Sequence, residues 1–167
     1  LVVDYNPVEK LREIKDAQEV DKIRKASNII DNLFEVATKE IKVNMAEEEI
    51  QAILVYEALK MGAKFPSYQF TSNPLIIASG SQTSFPHAET SRRIIRKDEF
   101  IVIDITLSYD HYVSDATRTF GIGRISNQMK SVYDIVKVAQ ENGIRRLSET
   151  DNFALVDAAC REIIQKE

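Results

Sequence analysis

Two aspartates stand where a β-strand pattern has no use for them. Asp104 interrupts the run Ile101-Val102-Ile103-Asp104-Ile105-Thr106-Leu107, and Asp115 repeats the oddity within Tyr112 to Phe120. Asp is disfavoured in strands, and an ionised carboxylate among apolar neighbours costs several kcal/mol unless something positive or hydrogen-bonding meets it. Oxygen donors of this kind suit a divalent cation such as Mg or Mn. A pair sharing one proton is the other chemistry open to them. Backbone donors, Arg118 or plain water on a polar face would satisfy them with no chemistry at all.

Spacing sharpens the choice. Tyr109-Asp110-His111 reads as the turn of a β-hairpin joining Phe100–Leu107 to Tyr112–Phe120. A two-residue loop at Asp110-His111, or a four-residue loop from Tyr109 to Tyr112, sets Asp115 opposite Thr106. Side chains alternate along a strand, so Asp104, Thr106 and Asp115 then share one face. Diagonal neighbours lie about 7–8 Å apart at the backbone. A three-residue loop would send Asp115 to the opposite face. Val102, Ser108, Thr117 and Thr119 follow on the acid face, while Ile101, Ile103, Ile105, Leu107, Ala116 and Phe120 form a core face.

Helices must carry this hairpin. Asp16 with Glu19 resembles a capping box, and Val20, Ile23, Ala26, Ile30, Leu33, Ala37 and Ile41 recur at helical spacing behind it. Asn44 with Glu47 repeats the start signal, and Ile50, Ile53, Leu54 and Leu59 lead to Gly62, a left-handed stop. Leu75-Ile76-Ile77-Ala78 is a short strand ending at Ser79-Gly80, followed by the polar loop Ser81–Ser84 and Phe85-Pro86-His87. After the hairpin, Met129, Val132, Ile135 and Ala139 define a third helix from about Ser126 to about Leu147. Asp151 or Asn152 caps a fourth, with Leu155, Val156, Ala159 and Ile163 on its apolar side. Residues 1–14, with the turn signal Asn6-Pro7, read as a connector.

Bulk composition agrees with a folded domain. The chain has 167 residues, 44% apolar and 29% charged, and 22 basic against 26 acidic side chains leave a net charge of −4. Disorder is excluded by that balance, and a nucleic-acid partner is disfavoured without a basic surplus. No apolar run approaches the ~20 residues of a membrane span. The single cysteine, Cys160, sits in a helix-core stretch with no chemistry assigned. With no leader-type pattern at Leu1, it points to a cytoplasmic setting.

The segments Val102-Ile103-Asp104-Ile105-Thr106, Tyr112-Val113-Ser114-Asp115 and Ala116-Thr117-Arg118-Thr119-Phe120 resemble the metal-binding hairpin of the pita-bread metallopeptidases. That family includes methionine aminopeptidases, Xaa-Pro aminopeptidases and Xaa-Pro dipeptidases (prolidases). Pro74 to Gly80, then Ser84-Phe85-Pro86-His87-Ala88, is similar to the prolidase branch, and the Val-His-Gly-Ile-Pro type segment of methionine aminopeptidases is absent. Leu11-Arg12-Glu13-Ile14-Lys15 looks like the entry to a prolidase catalytic domain.

The resemblance implies an α+β pita-bread (creatinase/aminopeptidase-like) fold, truncated to two helix pairs around an antiparallel sheet with the second half-sheet missing. Residues 1–14 would link from a further N-terminal domain, and 15–167 would be the N-terminal portion of the catalytic domain. Two divalent cations are implied, manganese or cobalt, with zinc or iron as alternatives. Asp104 would bind one and Asp115 bridge both, so that activated water cleaves the bond before proline. His87 matches a histidine that contacts substrate near that bond, although by itself it reads as a solvated loop residue. Thr106 and Thr119 would hydrogen-bond the ligands.

The family pattern also needs a histidine and two glutamates after the second helix pair. The only histidines here, His87 and His111, precede Asp115, and Asp134, Asp157 and Glu162 carry no matching motif. The expectation is therefore an incomplete, inactive piece whose partners are a peptide or dipeptide substrate, the missing C-terminal half and a second copy in a homodimer. Neither nucleic acid nor membrane is expected. A methionine or Xaa-Pro aminopeptidase, or a pita-bread binding module without catalysis, are the alternatives.

Overall fold

A computed structural model describes residues 7–66 and 73–166. Its elements are α1 (Pro7–Glu13), α2 (Ala17–Glu40), α3 (Glu47–Lys60), β1 (Leu75–Ser79), β2 (Glu99–Tyr109), β3 (Tyr112–Ile122), α4 (Asn127–Leu147) and α5 (Phe153–Lys166), with a 3-10 turn at Gly80–Ser84. The chain divides into two compact units, one ending at Gly123 and one beginning at Arg124.

The first unit is built on an antiparallel sheet of order β1-β2-β3. The expected capping box starts α2: Asp16 Oδ1 accepts from the N–H groups of Gln18 (2.8 Å) and Glu19 (2.9 Å), and Glu19 Oε2 accepts from the Asp16 N–H (2.8 Å). The helix then buries Ala26, Ile29, Ile30, Leu33, Phe34 and Ala37. These meet Ile50 and Leu54 of α3 and the inward row Ile101, Ile103, Ile105 and Leu107 of β2, all fully or almost fully buried. Each such side chain contributes about 1.5–3 kcal/mol on leaving water. One face of the sheet is thereby committed to the core, which leaves the other for chemistry.

Several expectations change. Residues 1–14 include a helix, α1, that begins at the proline of the Asn6-Pro7 signal, where a missing N–H costs nothing; residues 1–6 of the expected connector lie outside the described residues. Asn44 does not cap α3. It takes a left-handed conformation (φ 74°), the helix starts at Glu47, and Glu49 Oε2 reaches back to accept the Ala46 N–H at 2.6 Å. The sequence signal was displaced by two residues because Asx residues favour both caps and left-handed turns. Gly62 (φ 81°) does end α3 as expected. Val20 is 40% exposed, because the first turn of α2 overhangs the core.

In the second unit Ser126 caps α4 by accepting the Met129 N–H (3.2 Å), and Asn152, rather than Asp151, caps α5 by accepting the Ala154 N–H (3.0 Å). Of α4 only Ala139 and Gly143 are buried, and of α5 none. Val132 and Leu155, expected on apolar stripes, are exposed. Two helices alone have one seam to bury. Among the described residues no helix is long and apolar enough to cross a membrane.

Candidate metal centre

The hairpin adopts the two-residue loop. β2 ends at Tyr109, β3 begins at Tyr112, and Asp110 (φ 45°) and His111 (φ 71°) both take positive φ. That combination is a type I′ turn, whose twist matches the strands it joins. The pairing Thr106↔Asp115 and Asp104↔Thr117 follows, so both acids lie on the face away from the core, in a diagonal relationship.

Each acid is met by the threonine opposite it. Thr106 Oγ1 donates to Asp115 Oδ2 at 2.8 Å, and Thr117 Oγ1 donates to Asp104 Oδ1 at 2.6 Å. Of the two threonines expected to support the ligands, Thr106 is the one hydrogen-bonded to Asp115. Thr119 pairs with Val102, and the hydroxyl that reaches Asp104 belongs to Thr117. The sequence signal for Thr117 was available, since register alone makes it the residue facing Asp104. Arg118 serves neither acid: strand alternation puts it on the core face, with its guanidinium 5.1 Å from the Phe34 ring centre and a hydrogen bond to the Thr117 carbonyl (2.8 Å).

The hairpin is held at its tip by α2. Lys22 Nζ lies 2.7 Å from Asp110 Oδ2, Tyr112 donates to Glu19 Oε1 at 2.8 Å, and the hydroxyls of Ser27 and Ser114 meet at 2.9 Å. The hydrogen bond to Asp110 pushes the Lys22 ammonium pKa up, and the same bond holds the Asp110 carboxyl below its ordinary range. Tyr112 is pushed up by its bond to Glu19.

β1 brings a third segment to the acid face. Ile76 pairs with Asp104 and Ala78 with Val102, and both pack with Ala88 in a small buried cluster. The loop after β1 therefore folds back over the same face. Phe85 and Pro86 line a hollow of about 220 Å³ with Val102, Asp104 and Thr117. His87 follows Pro86 in the chain, exposed and in a turn. Larger hollows of about 820 and 920 Å³ lie beside the hairpin tip, where His111 is found, and touch neither acid.

Sequence reasoning missed one ionisable group. Glu47, read as a helix-start signal, is completely buried and accepts four hydrogen bonds, from the N–H and hydroxyl of both Ser79 and Ser91. Nothing in the local pattern marks it, because its partners lie far along the chain.

A divalent cation suits the donors on the acid face in part. Two carboxylates, each with one oxygen fixed by a threonine, offer oxygen ligands on one surface. Among the described residues no group of three or more His, Cys, Asp or Glu side chains comes together to complete a site.

Comparison with known proteins points the same way. The family model described as Metallopeptidase family M24 matches residues 21–167. The chain is 32% identical over 159 residues to the Xaa-Pro dipeptidase of Pyrococcus furiosus, an alignment covering 95% of this chain and 44% of that protein. Among solved structures it is similar to the prolidase of Pyrococcus horikoshii (31% identity, TM-score 0.83, 95% of this chain and 44% of that one). It is also similar to the X-Pro aminopeptidase of Thermotoga maritima (31% identity, TM-score 0.81, 96% and 44%). The fold is thus that of the pita-bread prolidases over less than half their length, carried here by a three-stranded antiparallel sheet.

Proposed function

Since the chain belongs to metallopeptidase family M24, we propose that it is the first part of a metal-dependent Xaa-Pro dipeptidase, which hydrolyses the peptide bond before proline. Residues 15–167 are then catalytic-domain sequence, and residues 1–14 lead into it from a preceding domain. The observation that carries the reading is the placement of Asp104 and Asp115 on one sheet face, each met by a threonine across the hairpin.

In this reading Asp104 and Asp115 would be among the side chains that hold two divalent cations, with manganese or cobalt favoured and zinc or iron as alternatives. Bound cations would supply water of raised acidity and polarise the peptide carbonyl. Thr106 and Thr117 would restrain these ligands, each through a hydrogen bond to one carboxylate oxygen. His87, next in the chain to the Phe85 and Pro86 that line the hollow beside Asp104, would contact the peptide near the bond to be cut. The histidine and two glutamates that complete the family pattern would come from polypeptide corresponding to the part of the relatives this chain does not span. Pairing as a homodimer and a cytoplasmic setting belong to the same reading.

The test is hydrolysis and metal content measured on the complete, manganese-loaded protein. Two metals per chain with cleavage of Ala-Pro, lost in Asp115→Ala, is the expected result. Cleavage only of longer peptides with proline second would make it an Xaa-Pro aminopeptidase, the reading favoured by the likeness to the Thermotoga maritima structure. Cleavage of Met-Ala alone would indicate a methionine aminopeptidase. Neither metal nor hydrolysis in the folded protein would leave a peptide-binding module and overturn the proposal.

A further inference from the structure

The buried carboxylate of Glu47 sits at the root of the loop that covers the acid face. Glu47 opens α3, where the helix N-terminus favours negative charge. Its Oε1 accepts from the Ser79 N–H (2.8 Å) and Oγ (2.6 Å), and its Oε2 accepts from the Ser91 N–H (3.1 Å) and Oγ (2.8 Å). Ser79 is the last residue of β1. Ser91 follows the segment that carries Phe85, Pro86, His87 and Ala88. One side chain thus fastens both ends of a loop whose middle holds the histidine.

Neighbouring contacts make the fastening directional. The Glu47 and Glu48 N–H groups donate to the carbonyls of Arg93 and Ser91, both at 3.1 Å. Arg93 forms a two-pronged pair with Glu99 (2.7 and 2.6 Å) and also donates to the Ser79 hydroxyl. Gly80 (φ 54°) stands against this pair, and a Cβ there would collide with the Arg93 guanidinium and the Glu99 carboxylate. Thr90 Oγ1 accepts the Ile77 N–H at 2.9 Å, and Asn73 Nδ2 donates to the Ala88 carbonyl at 3.2 Å. The loop is therefore pinned at its ends and along β1, while His87 itself has no hydrogen bond among the described residues. A side chain free at its tip takes its position from its backbone.

We propose that Glu47 is a positioning residue: by clamping Ser79 to Ser91 it holds in place the segment that carries His87, whose Phe85 and Pro86 line the hollow beside Asp104. This rests on the peptidase reading for its catalytic consequence. The clamp itself stands on the hydrogen bonds alone. Glutamine at this position keeps the shape but turns one acceptor into an NH2 group facing two serine donors, which opens one end of the loop.

The experiment uses the complete, metal-loaded protein. In Glu47→Gln the amides of Phe85 and Ala88 should exchange with solvent about 10-fold faster, while those of Ile103 and Ile105 in β2 keep their protection. The kcat for Ala-Pro should fall about 10- to 100-fold with a smaller change in KM. On a His87→Ala background the same substitution should cost less than about 3-fold more, because the two act through one group. Unchanged loop exchange, or losses that multiply fully in the double variant, would overturn the proposal. Should Glu47→Gln loosen the whole sheet, Ser91→Ala, which leaves three of the four donors, replaces it, and uniform loosening there too would refute the clamp. If the wild type cleaves neither Ala-Pro, nor longer peptides with proline second, nor Met-Ala, the peptidase reading falls, and loop exchange still decides whether Glu47 holds the His87 segment.

Discussion

Thr106 and Asp115 face each other across the hairpin, with the hydroxyl of one 2.8 Å from the carboxylate of the other. That single contact reports the register of the whole hairpin. A slip of one residue would carry Asp115 to the core face, against Ile103 and Ile105, where its charge would have no partner. The companion contact from Thr117 to Asp104 repeats the arrangement one step along the strands. Threonine here restrains a carboxylate and adds no charge, which leaves both acids free to attract cations.

Removing either hydroxyl should weaken metal binding without unfolding the hairpin. Thr106→Val and Thr117→Val keep the β-branched shape, and each is expected to lower metal affinity about 10- to 100-fold in the complete protein. Isothermal titration with manganese checks this. Affinities equal to the wild type would show that the threonines do not orient the acids.

The turn offers a stability test. His111 holds a φ of 71°, a region that penalises a side chain and suits glycine. His111→Gly should stabilise the protein by about 0.5–1 kcal/mol, read as a higher urea midpoint at unchanged slope. Asp110 should be kept in that variant, since its carboxylate holds Lys22 of α2.

Acid stability should depend on Glu99. Burial by itself pushes its carboxyl up, but the Arg93 guanidinium and the Arg96 N–H together hold it below its usual 4.5. A lowered pKa stabilises the fold fully above about pH 4.5, and the contribution is lost as pH falls through the lowered value. Glu99→Gln should therefore flatten the acid limb of the stability profile while costing stability at neutral pH. An acid limb identical to the wild type in thermal melts from pH 7 to pH 3 would contradict this.

Gly143 breaks a common rule. Alanine in a helix interior ordinarily gains about 0.5–1 kcal/mol over glycine, yet a Cβ here would run into Cys160 Sγ of α5. Gly143→Ala should destabilise by about 1–3 kcal/mol through overpacking. Adding Cys160→Ala should recover most of that loss. Denaturation midpoints of the two single variants and the double variant decide it, and simple additivity would count against the contact.

Local patterns carried a large part of this protein. The capping box at Asp16 and Glu19, the stop at Gly62, the strand from Leu75 and the helix from about Ser126 all follow from neighbours a few residues apart, whereas the choice of Asn152 over Asp151 as a cap and of the two-residue over the four-residue turn came from the structure. The shared face of Asp104 and Asp115 is legible for the same reason, because strand alternation is a local rule and a short turn transmits it across the hairpin. The likeness to prolidases rests on those same segments.

Contacts between distant segments were decided only in three dimensions. Glu47 meets Ser79 and Ser91, 32 and 44 residues further on. Arg118 turns to Phe34 instead of the acids. The segment that carries His87 is brought to the acid side by Ala88, buried with Ile76 and Ala78, and by Phe85 and Pro86, which share a hollow with Asp104. Periodicity says which way a side chain faces; which groups it meets there depends on how the chain closes its loops, and that is set by burial and hydrogen bonding across the whole unit.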